Sequence, residues 1–315
     1  MTARLAALLA VAALLLAGCG DDDPAAVTTT TAAPSPATAG EPAFPVVVTA
    51  ENGDVEIAAR PQRIVSLSPS LTEYLFAMGA GDQVVAVDQY SDFPAGTPLT
   101  DLSGFRPNVE AVAGYEPDLV VVGSDRDGVV GALTALDIPT LLLPSADGLD
   151  DVYAEIGVLG EATGRVGAAA ALAQEIRGGL AEIAATVPAR EQPLRYFYEL
   201  SDGLHSATSE TFVGELLGLA GLTSIADGVD AAAGGFPQLS AEYVLDADPD
   251  VVFLAHTDGT GQDPAEVAAR PGWEGLRAVK NGAVVVLDPD VSTRWGPRIV
   301  DLLRSVVDVT NAIAR

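Results

Sequence analysis

Pro117-Asp118-Leu119-Val120-Val121-Val122 is a turn followed by an apolar run without alternation. A strand with one wet face alternates apolar and polar residues, whereas an uninterrupted run suits a strand covered on both faces, as in a parallel sheet flanked by helices. The same pattern returns at Pro249-Asp250-Val251-Val252-Phe253, and in both places a glutamate, Glu110 or Glu242, stands seven residues before the proline. Two further correspondences keep the same order. Glu73 precedes Gly79, and Glu215 precedes Gly221, by six residues; Leu133 precedes Leu141, and Leu276 precedes Val284, by eight. The chain is therefore expected to hold two α/β lobes built on one plan, with mainly parallel sheets and right-handed crossovers.

Working outward, the pattern predicts strands over 63–67, 84–87, 119–122 and 140–143, with helices over 70–78, 108–114 and 129–136. Val46 to Ile57 alternates around Asn52-Gly53 and predicts a small hairpin with a type I′ turn. From Val152 the apolar residues Ile156, Leu159, Val166, Ala173, Ile176, Leu180 and Ile183 follow helical spacing. Thr163-Gly164-Arg165 divides that stripe, because glycine is costly inside a helix. The second piece, Val166 to Val187, would be roughly 33 Å long at 1.5 Å per residue. That length suffices to bridge two lobes, although an ordinary surface helix has the same periodicity. The expected organisation is an N-terminal lobe over 46–150, an interlobe helical segment over 151–190 and a C-terminal lobe over 191–315.

Arg4 precedes an apolar run from Leu5 to Gly18, as long as a signal-peptide core and short of the roughly 20 residues that span a bilayer. Residues 1–18 are expected to be a signal peptide. Leu16-Ala17-Gly18-Cys19 is similar to a bacterial lipobox, which implies lipid attachment at Cys19; the alternative is an export signal with an incidental cysteine. Residues 19–45 are rich in Asp, Thr, Ala, Pro and Ser and bury too little to offset ordering entropy, as a flexible tether would. The folded part is expected on the extracytoplasmic face of the cell membrane, held by the lipid alone.

Composition excludes several chemistries. The 315 residues include 44 Asp+Glu against 16 Lys+Arg, a net charge of −28, which repels phosphate and argues against nucleic-acid binding. One cysteine and two histidines supply neither a disulfide framework nor a Cys/His metal site. There is no phosphate-binding P-loop, Gly79-Ala80-Gly81 lacks the third glycine of a dinucleotide fingerprint, and no G-x-S-x-G elbow occurs. His205 and His256 are candidate bases without a recognisable nucleophile. A binder without a cofactor or catalytic residues is expected, with the interlobe cleft as its site.

Arg63-Ile64-Val65-Ser66-Leu67-Ser68-Pro69-Ser70-Leu71-Thr72-Glu73, Tyr90-Ser91-Asp92-Phe93-Pro94, Phe236-Pro237-Gln238-Leu239-Ser240-Ala241-Glu242 and Arg294-Trp295-Gly296-Pro297-Arg298 resemble the substrate-binding proteins of ABC importers for cobalamin and ferric siderophores. The resemblance runs from Val46 to the C-terminus. It implies two Rossmann-like lobes joined by one long helix that limits closure, a permease dimer with a cytoplasmic ATPase as partner, and a monomer that carries a small metal chelate. It further implies that Glu110 and Glu242 dock onto the permease. A helix-dipole role two residues after Asn108 and Ser240 is the competing explanation.

Tyr90 and Phe236 match cleft-lining positions of the cobalamin binders, and Asp290 and Arg294 match a polar pair on the second rim. Phe105 is a further candidate wall where those proteins usually carry tryptophan. Core packing is the alternative for Tyr90 and Phe236, and a solvated helix end for Arg294. Ser70 to Glu73 has the form of a capping box, and Trp273 is assigned to the core. Few cations, Arg106, Arg126, Arg294 and Arg298, lie near the expected cleft, which disfavours tri-anionic catecholates. A corrinoid is preferred over a ferric hydroxamate. An extracytoplasmic chelate hydrolase or a ligand-sensing module on the same fold remain as alternatives.

Overall fold

The computed structural model describes residues 43–229, 234–255 and 263–313. The segments expected to hold the signal peptide, Cys19 and most of the tether, together with His256, lie outside the described residues.

The chain opens with β1 (Val46–Ala50) and β2 (Gly53–Ile57), an antiparallel hairpin. Its turn is not the expected type I′, since Ala50 pairs with Gly53 and only Gly53, at φ 95°, has positive φ. Asn52 is engaged elsewhere. Its side-chain amide donates to Thr140 O at 3.0 Å and accepts from Leu142 N at 2.9 Å, so it docks the hairpin on the edge of the first lobe.

That lobe contains β3 (Ile64–Leu67), α1 (Pro69–Ala77), β4 (Val84–Asp88), β5 (Leu99–Leu102), α2 (Val109–Ala113), β6 (Leu119–Val122), α3 (Val129–Thr134) and β7 (Thr140–Leu142). Its parallel sheet has the order β5-β4-β3-β6-β7. All four residues of β3 and of β6 are buried, as expected of strands covered on both faces.

Two helices follow, α4 (Leu149–Thr163) and α5 (Val166–Ala184), reversed on each other through Gly164, which caps α4 at φ 70°. A methyl on Gly160 would come 2.4 Å from Ala169 Cβ, so the helices can lie this close only because position 160 is bare. α4 starts at the second lobe, where Leu149 N donates to Glu215 at 2.8 Å, and ends in the first, where Arg60 donates to Thr163 O at 3.2 Å. α5 makes the return crossing. It begins beside Phe44 and Arg60 and passes Val300 at Gly179, and the connection beyond it ties Arg190 to Thr310 O at 3.2 Å.

The second lobe comprises β8 (Leu194–Glu199), α6 (Phe212–Leu219), β9 (Leu222–Ser224), α7 (Ala241–Ala247), β10 (Val251–Leu254), α8 (Pro264–Ala268), α9 (Arg277–Lys280), β11 (Val284–Val286), α10 (Pro289–Ser292) and α11 (Ile299–Ile313). Its parallel sheet has the order β11-β10-β8-β9, which is the order β7-β6-β3-β4 of the first lobe without the β5 edge. The repeat extends to details. Asp118 accepts from Arg63 N and Asp250 from Arg195 N, both at 2.8 Å, so each carboxylate ties the start of its central strand to the neighbouring strand. Helices α1 and α6 end with the same C-cap angles, φ −84° and ψ 6°, before Gly79 and Gly221 at φ 76° and 71°. The match of Leu133 and Leu276 is looser: both are buried, but Leu133 lies in α3 and Leu276 precedes α9.

One hydrophobic cluster spans both lobes. Leu71 and Tyr74 of α1 join Ile156 and Leu159 of α4, Ile176 and Leu180 of α5, and Tyr198 and Leu216 of the second lobe. Two smaller clusters, one around Val65, Val120 and Leu133 and one around Phe197, Val252 and Trp273, cover the opposite faces of the sheets. Trp273 is in the core, 1% exposed. No described helix is long and apolar enough to cross a membrane.

Candidate functional site

Strands β3, β4, β6 and β7 are parallel, so their C-terminal ends lie along one edge of the sheet, and ligand crevices of open α/β sheets form outside such edges. A cavity of about 630 Å³ opens there between the lobes. Ser145 to Asp147, after β7, wall it on the first lobe; Tyr198, Phe236, Arg294 and Trp295 are among its walls on the second.

The first-lobe loops after β4 and β5, and the second-lobe segment before α7, carry aromatic rings that the fold leaves in solvent. Tyr90 is 61% exposed, Phe105 54%, Phe236 45% and Phe93 42%, and no other Phe, Tyr or Trp among the described residues is exposed. Each is held by a specific local structure. The buried Asp88, at the end of β4, accepts Tyr90 N at 2.8 Å and Ser91 Oγ at 2.9 Å, fixing the backbone that presents Tyr90 outward. Burial pushes the Asp88 carboxyl above its ordinary value, and those two hydrogen bonds oppose the shift. Phe236 follows Gly234 and Gly235, both at positive φ, and Gly235 O accepts from Thr208 N at 2.9 Å. A methyl on Gly235 would meet Thr211 Cγ2 at 2.5 Å, so this segment requires glycine twice over. The alternative of core packing does not hold for Tyr90 or Phe236.

The lobes are clasped by charge. Arg298 Nη2 and Nε donate to the two oxygens of Glu73 at 2.6 and 3.1 Å, and Arg298 stacks over Phe93 at 4.2 Å. Arg294 pairs with Asp290 at 2.6 Å and with Asp92 of the first lobe at 3.2 Å, and approaches Glu73 to 3.9 Å. Tyr74 Oη donates to Trp295 O. The capping box expected at Ser70 to Glu73 is absent: α1 begins at Pro69 after Ser68, and Glu73, 2% exposed, points into the interface instead. The Pro69 ring starts the helix one position before the Ser70 cap the motif needs. Burial raises the Glu73 carboxyl while both arginines oppose the shift, and Glu73 in turn holds Arg298 charged.

Thus Phe236 and Arg294 line the cavity and Asp290 serves as the partner of Arg294, whereas Tyr90 and Phe105 are exposed on the first-lobe loops after β4 and β5 and are not among the residues that line it. Sequence reasoning missed Glu73, Phe93 and Glu155. Glu155, in α4, is buried below Trp295. Burial and the nearby Asp151 carboxylate push it up to about 8, while the Trp295 indole, which offsets part of that shift, closes no hydrogen bond of ordinary geometry. A glutamate on the apolar stripe between Val152 and Leu159 was the available signal.

Glu110 and Glu242 are exposed and occupy the same place in α2 and α7. Asn108 and Ser240 cap those helices, accepting from Ala111 N at 3.0 Å and Tyr243 N at 3.1 Å. His205 is exposed with Nδ1 3.0 Å from Ser201 Oγ, a contact within one turn. No group of three or more His, Cys, Asp or Glu able to hold a metal ion occurs among the described residues.

Two lobes of one plan, joined by a helix pair and facing each other across a cleft, define a two-lobed α/β ligand-binding protein. The chain belongs to the periplasmic binding protein family, whose model matches residues 64–291. A cobalamin-binding protein of Halobacterium salinarum is 33% identical over 270 residues, covering 82% of this chain and 72% of that protein. An uncharacterized ABC transporter substrate-binding lipoprotein of Bacillus subtilis is 32% identical over 270 residues, covering 82% and 83%. Among solved structures, the periplasmic vitamin B12 binding protein of Vibrio cholerae superposes with a TM-score of 0.65 at 26% identity, covering 81% of this chain and 99% of that one. The structure of an ABC-type Fe3+-hydroxamate transport system from Saccharomonospora viridis superposes with 0.67 at 26% identity, covering 85% and 99%. The Halobacterium, Bacillus and Vibrio relatives are named as binding proteins.

Proposed function

We propose that this protein is the extracytoplasmic capture component of an ABC importer, held at the membrane by a lipid on Cys19. It takes a metal chelate, a corrinoid in preference to a ferric hydroxamate, into the interlobe cleft without turning it over. It then delivers the chelate to a permease dimer driven by a cytoplasmic ATPase. The observation that carries this reading is the exposure of Phe236 on the interlobe cavity and of Tyr90, Phe93 and Phe105 on the first-lobe loops after β4 and β5. Exposed aromatic rings grouped on such loops offer apolar faces against which a bulky macrocycle can pack. The similarity to a cobalamin-binding protein across both lobes supports the ligand class, and that to a lipoprotein supports the anchor. Glu110 and Glu242, one per lobe and equivalently placed, are the permease contacts in this reading.

Fluorescence titration tests it directly. Of the two tryptophans, Trp273 is buried in the second lobe and Trp295 lines the cavity, so ligand entry reports through Trp295. Cyanocobalamin should quench at lower concentration than a ferric hydroxamate or a ferric catecholate, and Trp295→Phe should remove most of the signal while calorimetry still detects binding. Tightest binding of the catecholate, or no calorimetric binding of cyanocobalamin, sinks the proposal.

A further inference from the structure

Trp295 reaches the cavity from a short strap, Arg294 to Arg298, that joins α10 to α11. First-lobe groups hold this strap at three points: Asp92 pairs with Arg294, Tyr74 Oη donates to Trp295 O, and Glu73 accepts from Arg298 Nε and Nη2. The backbone of Trp295 is thereby fixed, yet its indole is not. Trp295 Nε1 is buried without a hydrogen-bond partner, and so is Glu155 Oε2 on α4 beneath it. A donor and an acceptor, both unpaired, thus meet behind one wall of the cavity. That state is costly for an ionised carboxylate and much less so for a neutral carboxyl.

The charged and titratable groups packed around Glu155 are committed elsewhere or carry the wrong sign. Tyr74 of α1 is fully buried and spends its hydroxyl on Trp295 O, and Glu73 beside it is held by Arg298. Asp151, one turn earlier in α4, is a second anion, whose Oδ2 accepts Asp147 N and Gly148 N at 3.1 and 3.2 Å. Glu215 of α6 accepts Leu149 N at 2.8 Å, Arg177 of α5 stacks on Tyr153 at 3.9 Å, and β1 brings no charged side chain. Burial and Asp151 accordingly push the Glu155 carboxyl up to about 8, opposed only by the indole.

We infer that Glu155 is a positioning residue of the cleft: its carboxyl takes a proton when a ligand covers Trp295, and releases it to draw on the indole N–H when the cavity is open. This rests on the proposed capture of a chelate in the cavity and deepens it. A ligand against the indole excludes water from that wall and holds the ring in place, so an ionised Glu155 loses both of its means of solvation. Proton and ligand are linked reciprocally. Affinity should be complete below the titration of Glu155 and fall as pH rises through 8.

The test is calorimetry of the full chain with cyanocobalamin, whose own groups do not titrate between about pH 6 and pH 9. Over that range the wild type should weaken about three- to tenfold, and at about pH 8 it should take up a fraction of a proton per ligand, read from heats in buffers of different ionisation enthalpy. Glu155→Gln keeps the shape and cannot titrate, so its profile should be flat and its proton uptake nil. Trp295→Phe keeps a ring and removes the N–H, which should move the fall in affinity to higher pH. A flat profile in the wild type, or a fall that survives in Glu155→Gln, overturns the inference while capture of the chelate stands. A fall at the same pH in Trp295→Phe also overturns it, by removing the link to the indole. Binding of a ferric hydroxamate alone would refute the corrinoid preference, and the pH profile of that chelate then decides the proton linkage. Binding of neither would end both claims.

Discussion

Arg298 closes a two-point ion pair with Glu73, a residue 225 positions earlier in the chain and in the other lobe. The pair lies beneath the cleft, with Glu73 almost wholly out of water and Arg298 covered on one side by Phe93. Gly296 leaves the room it needs, since a methyl there would sit 2.5 Å from Glu73 Oε2.

Removing one member of a buried pair strands the other. Glu73→Ala should therefore lower stability by on the order of 3 kcal/mol, measured as a shift of the urea midpoint at constant slope. Gly296→Ala should destabilise in the same direction by displacing the carboxylate, and the double variant should lose less than the sum of the two, because both act on one contact. Additive losses would mean that the residues are energetically independent.

Glu155 should make stability depend on pH. Its carboxyl is raised from 4.5 to about 8, so the folded state holds a proton that the unfolded chain releases. Its contribution is then complete below about pH 4.5, is lost as pH rises toward 8, and is constant beyond. Glu155→Gln, neutral and of similar shape, should match the wild type at pH 5 and exceed it at pH 8 by on the order of 3 kcal/mol. Denaturant titrations of both proteins at the two pH values give the comparison. A constant difference between them would show that Glu155 does not titrate in this window.

The two exposed glutamates should separate binding from delivery. Glu110→Ala with Glu242→Ala should leave ligand affinity within twofold and abolish uptake in a strain that depends on the importer. Each single variant should retain partial uptake, since the other lobe still docks. Normal uptake by the double variant would reduce both residues to helix-end charges worth roughly 0.3–1 kcal/mol each.

Gly235 should behave as a binding residue although it has no side chain. Gly235→Ala forces a left-handed residue to carry a Cβ against Thr211, which moves the Phe236 backbone. Ligand affinity should fall by about as much as in Phe236→Ala, tenfold or more, and calorimetry of the two variants and their combination should show no further loss in the double. A Gly235→Ala protein with unchanged affinity would place Phe236 outside the binding surface.

The two-lobe plan was legible because it is written in local terms. Apolar runs bounded by Pro-Asp mark the buried strands β6 and β10, and the Asp118 and Asp250 contacts confirm the repeat in three dimensions. β5 escaped notice because Leu99-Thr100-Asp101-Leu102 is a short edge strand with a polar middle and little burial. Helix α11 carries a legible helical stripe at Ile299, Leu302, Leu303, Val306 and Val307. The turn of the hairpin was misjudged because Asn52 had a better use on β7 than in a type I′ turn. Of the candidate site, the places of Phe236 and Arg294 on the cavity were within reach of pattern and resemblance. The Glu73 clasp was not, because α1 offered that glutamate a satisfactory local role and only the folded chain brings Arg298 to it.

The hydrophobic cluster that runs from Leu71 and Tyr74 through α4 and α5 to Tyr198 and Leu216 has a consequence for how this protein melts. Neither lobe owns the face on which α4 and α5 lie. A lobe expressed by itself would present that face to water, and heat should dissolve both halves in one cooperative transition instead of two. The lobes repeat each other in plan, yet in folding they are a single body.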